Sequence, residues 1–193
     1  MARPRLHDDA LRDRLLAAAS ALVSTRGAAA LTVRDLAAQV GTSPSAVYSL
    51  FGSREDLVRA VGDAAFARFA DRLAAVPHTA DPGADLLALG LAYREHALDE
   101  PHAYRVMFGV AGAGAQEAAR GEATRSATFL VLRDAVAALV GPEDADRPAM
   151  VLWALVHGLV ELELNGLLPA EGAADRYSAA LRAAGPGIVA PRS

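Results

Sequence analysis

The stretch LTVRDLAAQVGTSPSAVYSLFGSREDL, residues 31–57, reads as two short helices joined by a tight turn, followed by the start of a third helix. Thr32 is a good N-cap, and Asp35 three residues on completes a capping box. Leu31, just before the cap, is spaced to pack on Leu36 as a hydrophobic staple. Val33, Leu36, Ala37 and Val40 recur at helical spacing and give the first helix a buried face. Gly41 suits a left-handed stop. Ser43 caps the second helix, and Pro44 takes its first position, where a missing N–H does no harm. Gly52 ends that helix, and Ser53 with Asp56 forms a second capping box.

Helix, short turn, helix is the plan by which a second helix enters the major groove of DNA. The outer face of this second helix carries Ser45, Tyr48 and Ser49, small or hydroxylated groups without a bulky charge. Such a face can approach base edges and phosphates closely. An ordinary solvated helix of an α-bundle is the alternative. The flanking caps and basic ends weigh against it.

Composition points the same way. Of 193 residues, 53% are hydrophobic and 22% charged, enough for a substantial core. Alanine is abundant and apolar runs of period two are absent, which favours an all-α fold. There is no cysteine, hence no disulfide and no cysteine-ligated metal, and all 19 basic side chains are arginine, a composition bias rather than an adaptation. The start MARPRLHDD lacks the apolar stretch of a signal peptide, and no segment has the length of a membrane span, so a cytoplasmic protein with no membrane partner is expected. The net charge of −4 is unevenly spread. Residues 1–60 hold eight arginines against six acids, whereas residues 61–193 hold eleven against seventeen. The N-terminal part is the one suited to phosphate.

Along the chain, Arg3 and Arg5 form a short arm that could follow a groove, or could equally be a solvated tail. A first helix is expected from Asp8 or Asp9 to Arg26, with Leu11, Leu15, Ala18, Ala19 and Leu22 inward. The helix beginning near Ser53 should continue without a linker to about Val76, and so could carry a displacement from one domain to the other. Further helices are expected over about 82–99 and 101–108, then a mobile glycine-rich loop at 109–116. Helices over about 116–140, 143–167 and 171–184 and a frayed tail complete the reading. This gives two domains, a three-helix reader over 1–52 and a larger helical domain over 53–193.

The run 31–57 closely resembles the DNA-binding domain of the TetR family of bacterial repressors. The residues that carry the resemblance are T-V-R-D-L-A from Thr32, Gly41, Ser43, Tyr48, Phe51 and S-R-E-D-L at 53–57. The likeness covers about residues 8–60. A short W-x-x-x-H-G at Trp153, His157 and Gly158 resembles a subgroup with a TetR-type ligand-binding domain. The resemblance implies a homodimeric, ligand-responsive repressor acting on double-stranded DNA.

For DNA contact the candidates are Thr32, Arg34, Thr42, Ser43, Pro44, Ser45, Ala46, Tyr48, Ser49 and Arg54. Thr32, Ser43 and Tyr48 should bond phosphates through hydroxyls and helix starts, with charge added by Arg34 and Arg54. Arg54 sits in a helix's first turn, where the dipole disfavours a cation, and a phosphate partner would explain it. Ser45, Ala46 and Ser49 should face base edges, Ala46 suiting a thymine methyl. Pro44 stands where some family members carry a longer base-reading side chain, so the operator sequence does not carry over. The last two long helices are apolar beyond the needs of one core and should pair across a two-fold axis, making the operator a pseudo-palindrome.

The candidate effector pocket comprises Tyr93, His96, Met107, Phe108, Phe129, Trp153 and His157, an apolar set with few charges that suits a hydrophobic or aromatic small molecule. His157 and Glu161 share a helix face, but a metal site needs a third ligand and no such motif appears, so neither metal nor cofactor is expected. Two other function classes remain. A small helical enzyme lacks any G-x-S-x-G, phosphate-cradling glycine loop or cysteine nucleophile. A helical protein–protein adaptor would leave the capped, small-faced second helix unexplained.

Overall fold

The computed structural model describes residues 5–108 and 127–189. Among them it is all-α, with nine α-helices and no strand: α1 Arg5–Arg26, α2 Val33–Val40, α3 Pro44–Phe51, α4 Arg54–Ala74, α5 Pro82–Asp99, α6 Pro101–Phe108, α7 Ala127–Val140, α8 Asp146–Leu164 and α9 Ala173–Val189. One turn of 3₁₀-helix, Ala28–Ala30, links α1 to α2. The glycine-rich stretch 109–116 and the expected start of a helix near residue 116 lie outside the described residues, as does Arg3. Also among the described residues, no helix is long and apolar enough to cross a membrane.

The chain forms two compact units, and these divide it differently from a cut after residue 52. The first is Met1–Phe66 with Glu100–Ala119; the second is Ala67–Asp99 with Arg120–Ser193. Helix α4 therefore contributes residues to both, and α6 belongs to the first.

In the first unit α1 packs on α2, α3 and α6. Leu15, Ala19 and Val23 of α1 meet Leu36 and Ala37 of α2, Val47 of α3 and Leu57 and Val61 of α4 in one closed cluster. Leu31, ahead of α2, is completely buried in it. Two arginines of α1 tie the short helices down. Arg14 donates to the Val40 carbonyl at the end of α2, at 2.6 Å, and Arg12 lies over the Phe51 ring at the end of α3.

In the second unit α5 packs on α7, α8 and α9, and α8 packs on α7 and α9. Between α5 and α9 the backbones come close at Gly90. A Cβ there would stand 2.6 Å from Leu181 Cδ1, and the Gly90 carbonyl accepts the Tyr177 hydroxyl at 2.9 Å. Arg94 and Glu163 pair through two bonds of 2.8 and 2.6 Å, with both side chains mostly buried. Helix α9 runs past the expected end at 184, with Pro186 inside it. Proline removes one helical donor there, but it lies on an exposed face where water can replace the lost bond, while Ile188 and Val189 pack against the Phe129–Leu152 cluster and hold the last turn.

Candidate functional site

The caps set the geometry of α2 and α3. The Asp35 amide donates to Thr32 Oγ1 at 3.2 Å, and the Thr32 hydroxyl donates to Asp35 Oδ2 at 2.7 Å. Gly41 closes α2 at φ +75°, a left-handed conformation that favours glycine, and the Thr42 amide bonds the Ala37 carbonyl at 2.9 Å. The Ala46 amide donates to Ser43 Oγ at the start of α3, with the Ser45 hydroxyl 2.9 Å from that oxygen. Val47 and Phe51 are buried, and Ser45, Tyr48 and Ser49 stand outward, Tyr48 half exposed at 50%. Over its length, PSAVYSLF, α3 carries no Lys, Arg, Asp or Glu.

The arginines around this face differ in how they are held. Arg34 is exposed and makes no hydrogen bond or ion pair among the described residues. Arg54 instead reaches back, its Nε donating to the Leu31 carbonyl at 2.9 Å and its second guanidinium nitrogen to the Ala28 carbonyl at 2.7 Å. These two acceptors account for a cation in the first turn of α4, so a phosphate is not needed to explain its place.

The second unit contains a cavity of about 700 Å³. Leu86, Leu89, Leu132, Leu152, Val156 and Trp153 supply apolar wall, Tyr93 and Thr128 uncharged polar groups, and Asp81 and Arg182 charge. The Tyr93 hydroxyl stands 3.2 Å from His157 Nδ1, and the Tyr93 ring packs against Phe69. Burial pushes the His157 imidazole below its ordinary pKa, with Glu161 opposing the shift. Neutral imidazole can then accept the tyrosine proton at Nδ1. Glu161 Oε2 takes a bond from Asn165 Nδ2 at 3.1 Å. Among the described residues, no three His, Cys, Asp or Glu side chains stand together as a metal site.

Residues 15–61 match the family described as bacterial regulatory proteins of the tetR family, and residues 86–184 match the tetracyclin repressor-like C-terminal domain. The second match spans half of the chain. The chain belongs to the TetR family. An uncharacterized HTH-type transcriptional regulator of Mycobacterium tuberculosis is 28% identical over 161 residues, 81% of this chain and 72% of that protein. A solved protein of unknown function from Rhodococcus sp. RHA1 is 29% identical, with a TM-score of 0.72 over 93% of this chain and 96% of that one. RolR, solved in complex with resorcinol, shares the fold at 18% identity and a TM-score of 0.69, covering 98% and 97% of the two chains. TetR-family proteins are transcriptional regulators with a DNA-binding helix-turn-helix, not enzymes.

The residues expected to form an effector pocket are distributed by the structure. Tyr93 and Trp153 border the cavity, and His157 stands behind Tyr93. His96 is buried, its ring stacked on Phe69 at 4.3 Å. Phe129 is buried edge-on to Trp153. Met107 and Phe108 fall in the first unit, where Phe108 meets Phe66 and Tyr104. The leucines of the wall and Arg182 were missed, because apolar side chains facing a void have the same spacing as those facing a core. Gly90, isolated within α5, was the available signal that a neighbouring helix comes close there.

Proposed function

We propose that this regulator is a repressor that binds a pseudo-palindromic operator as a homodimer and is released by a small, mostly apolar effector. The observation that carries the reading is α3, a buried-backed helix whose outward Ser45, Tyr48 and Ser49 bear no charge, with the uncommitted Arg34 beside it on α2. In this reading the helix starts at Thr32 and at Thr42, Ser43 and Pro44 meet phosphates, and the Tyr48 hydroxyl joins them. Ser45, Ala46 and Ser49 face base edges. Arg34 supplies the phosphate charge, and Arg54 supports the motif from behind rather than touching DNA.

One reader helix covers a few base pairs, so specific binding calls for two, separated by about 34–36 Å or a multiple. On α8, Met150, Val151 and Leu162 are exposed apolar side chains, with the exposed Ala154 between them and Gly158 in open space. That stripe suits pairing of α8 and α9 with their copies in a four-helix bundle. The cavity receives the effector, and the resorcinol bound by RolR is an instance of a small aromatic ligand on this fold. Signalling runs through α4, whose Leu57 and Val61 are buried in the first unit and whose Leu73 borders the cavity. A ligand acts there by preferring one dimer geometry. The working compartment is the cytoplasm, where the DNA is.

The test is selection of bound sequences from a random duplex pool. Wild-type protein should enrich a sequence with two-fold symmetry. The pair Arg34→Ala with Tyr48→Ala should lose binding to it by about three orders of magnitude or more while keeping its helical circular dichroism, since each contact is worth about 1–3 kcal/mol and two protomers contribute. No enrichment, or undiminished binding by the double variant, overturns the reading.

A further inference from the structure

Resting on the cavity as the effector site, we infer that the effector is an apolar carboxylic acid, its body inside the cavity and its head group held by Arg182. The cavity wall has two charged side chains among the described residues, Asp81 and Arg182. Asp81 is already used. Its Oδ1 accepts the amides of Gly83 and Ala84 at 3.0 Å each, at the start of α5 where the helix dipole favours an anion.

Arg182 is different. It makes no hydrogen bond or ion pair among the described residues, whereas Arg72, Arg94, Arg133 and Arg176 of the same unit all do. A guanidinium is a bidentate partner for a carboxylate. The rest of the wall holds no cation. The Tyr93 hydroxyl is 3.2 Å from His157 Nδ1, Thr128 adds one uncharged hydroxyl, and most of the remaining wall is leucine, valine and tryptophan. An anion placed there would lose its hydration without compensation, so the charge belongs at Arg182 and the hydrocarbon inside. A cavity of about 700 Å³ is in the range that takes a ligand of drug size, so a body of ten carbons or so fits, aliphatic or aromatic.

Trp153 is the chain's one tryptophan and borders the cavity, so its emission reports occupancy directly. The experiment titrates the full-length protein with decanoate and with decanol at pH 7.5 and low salt, following Trp153 emission. 4-Butylbenzoate and 4-butylbenzyl alcohol, followed by calorimetry, separate aromatic from aliphatic bodies. Each acid should bind about five- to tenfold tighter than its alcohol, the size expected for a partly solvated charge-assisted pair. Arg182→Gln should bring acid and alcohol level, and Arg182→Lys, which keeps the charge but loses the bidentate fork, should keep part of the preference. In the wild type, 0.5 M salt should remove most of it, a readout that needs no variant to fold. Alcohols that bind as well as acids, or a preference that survives Arg182→Gln, overturn the head-group assignment and leave the cavity reading standing. No change in emission, heat or melting temperature with any of the four compounds overturns both.

Discussion

In the first unit Leu15, Leu31, Leu36 and Leu57 have no exposed surface, and the cluster they form closes around them. In the second unit Leu86, Leu87, Leu132 and Trp153 stay half-buried along a cavity wall, three of them backed by the Phe129–Leu152 cluster. Similar residue types at similar helical spacing thus give two kinds of interior. The first suits a part that must hold two short helices in one relation, since close packing transmits strain and resists rearrangement. The second leaves contacts unmade that a ligand can make. The second unit keeps a buried cluster of its own around Phe129, Val136, Ala149 and Leu152, and polar ties such as Arg94–Glu163 and the Tyr177–Gly90 bond add to it.

The comparison is most directly broken by truncation. Leu36→Ala should cost about 2–5 kcal/mol, because a closed cluster collapses only partly around the hole. Leu132→Ala, on a wall already facing space, should cost less than about 1.5 kcal/mol. Urea denaturation followed by circular dichroism measures both, and equal losses would erase the distinction between the two interiors.

Within the first unit, Arg34 and Arg54 sharpen the contrast between a side chain that holds the motif and one left for a partner. Arg54→Ala strands the carbonyls of Ala28 and Leu31 and should cost about 1–2 kcal/mol, moderated by their access to water. Arg34→Ala should stay within about 0.5 kcal/mol of wild type. On DNA it should weaken binding to all sequences alike and reduce the salt slope by about one per protomer. An unchanged slope would remove Arg34 from the phosphate contacts.

The smallest effect concerns acid. Burial lowers the folded-state pKa of His157 from its ordinary 6.5, so the unfolded chain takes up the proton first. The stability this histidine contributes is complete above that ordinary value and is lost as pH falls from there through the folded-state pKa. Melting temperatures between pH 7.5 and 5 should fall, and His157→Gln should flatten part of that fall. An unaltered profile would show that His157 titrates as freely folded as unfolded.

How much of this the sequence disclosed follows the range of each interaction. The starts and stops of α2 and α3 were legible to within a residue because Thr32, Gly41, Ser43 and Gly52 act on their immediate neighbours. Arg54 was legible only as an oddity. Its acceptors lie 23 and 26 residues earlier, and nothing local distinguishes a cation aimed at carbonyls from one aimed at phosphate. The continuation of α9 through Pro186 was hidden for the same reason, since Ile188 and Val189 are held by α7 and α8. In the second unit, periodicity identified the helices but could not separate wall from core. Thus periodicity singles out Tyr93 and Trp153, which border the cavity, but not Leu132 and Arg182, which border it too, while Met107 and Phe108 of the same set lie on α6 in the first unit.

Helix α3 carries no formal charge along its length. Ionic strength screens Coulombic attraction but scarcely touches a hydroxyl on a base edge or a methyl on a thymine. Salt should therefore change how many sites are occupied at a given protein concentration, not their order of preference. If α3 reads bases as proposed, raised ionic strength loosens every bound site together, with the strongest still the last to be vacated.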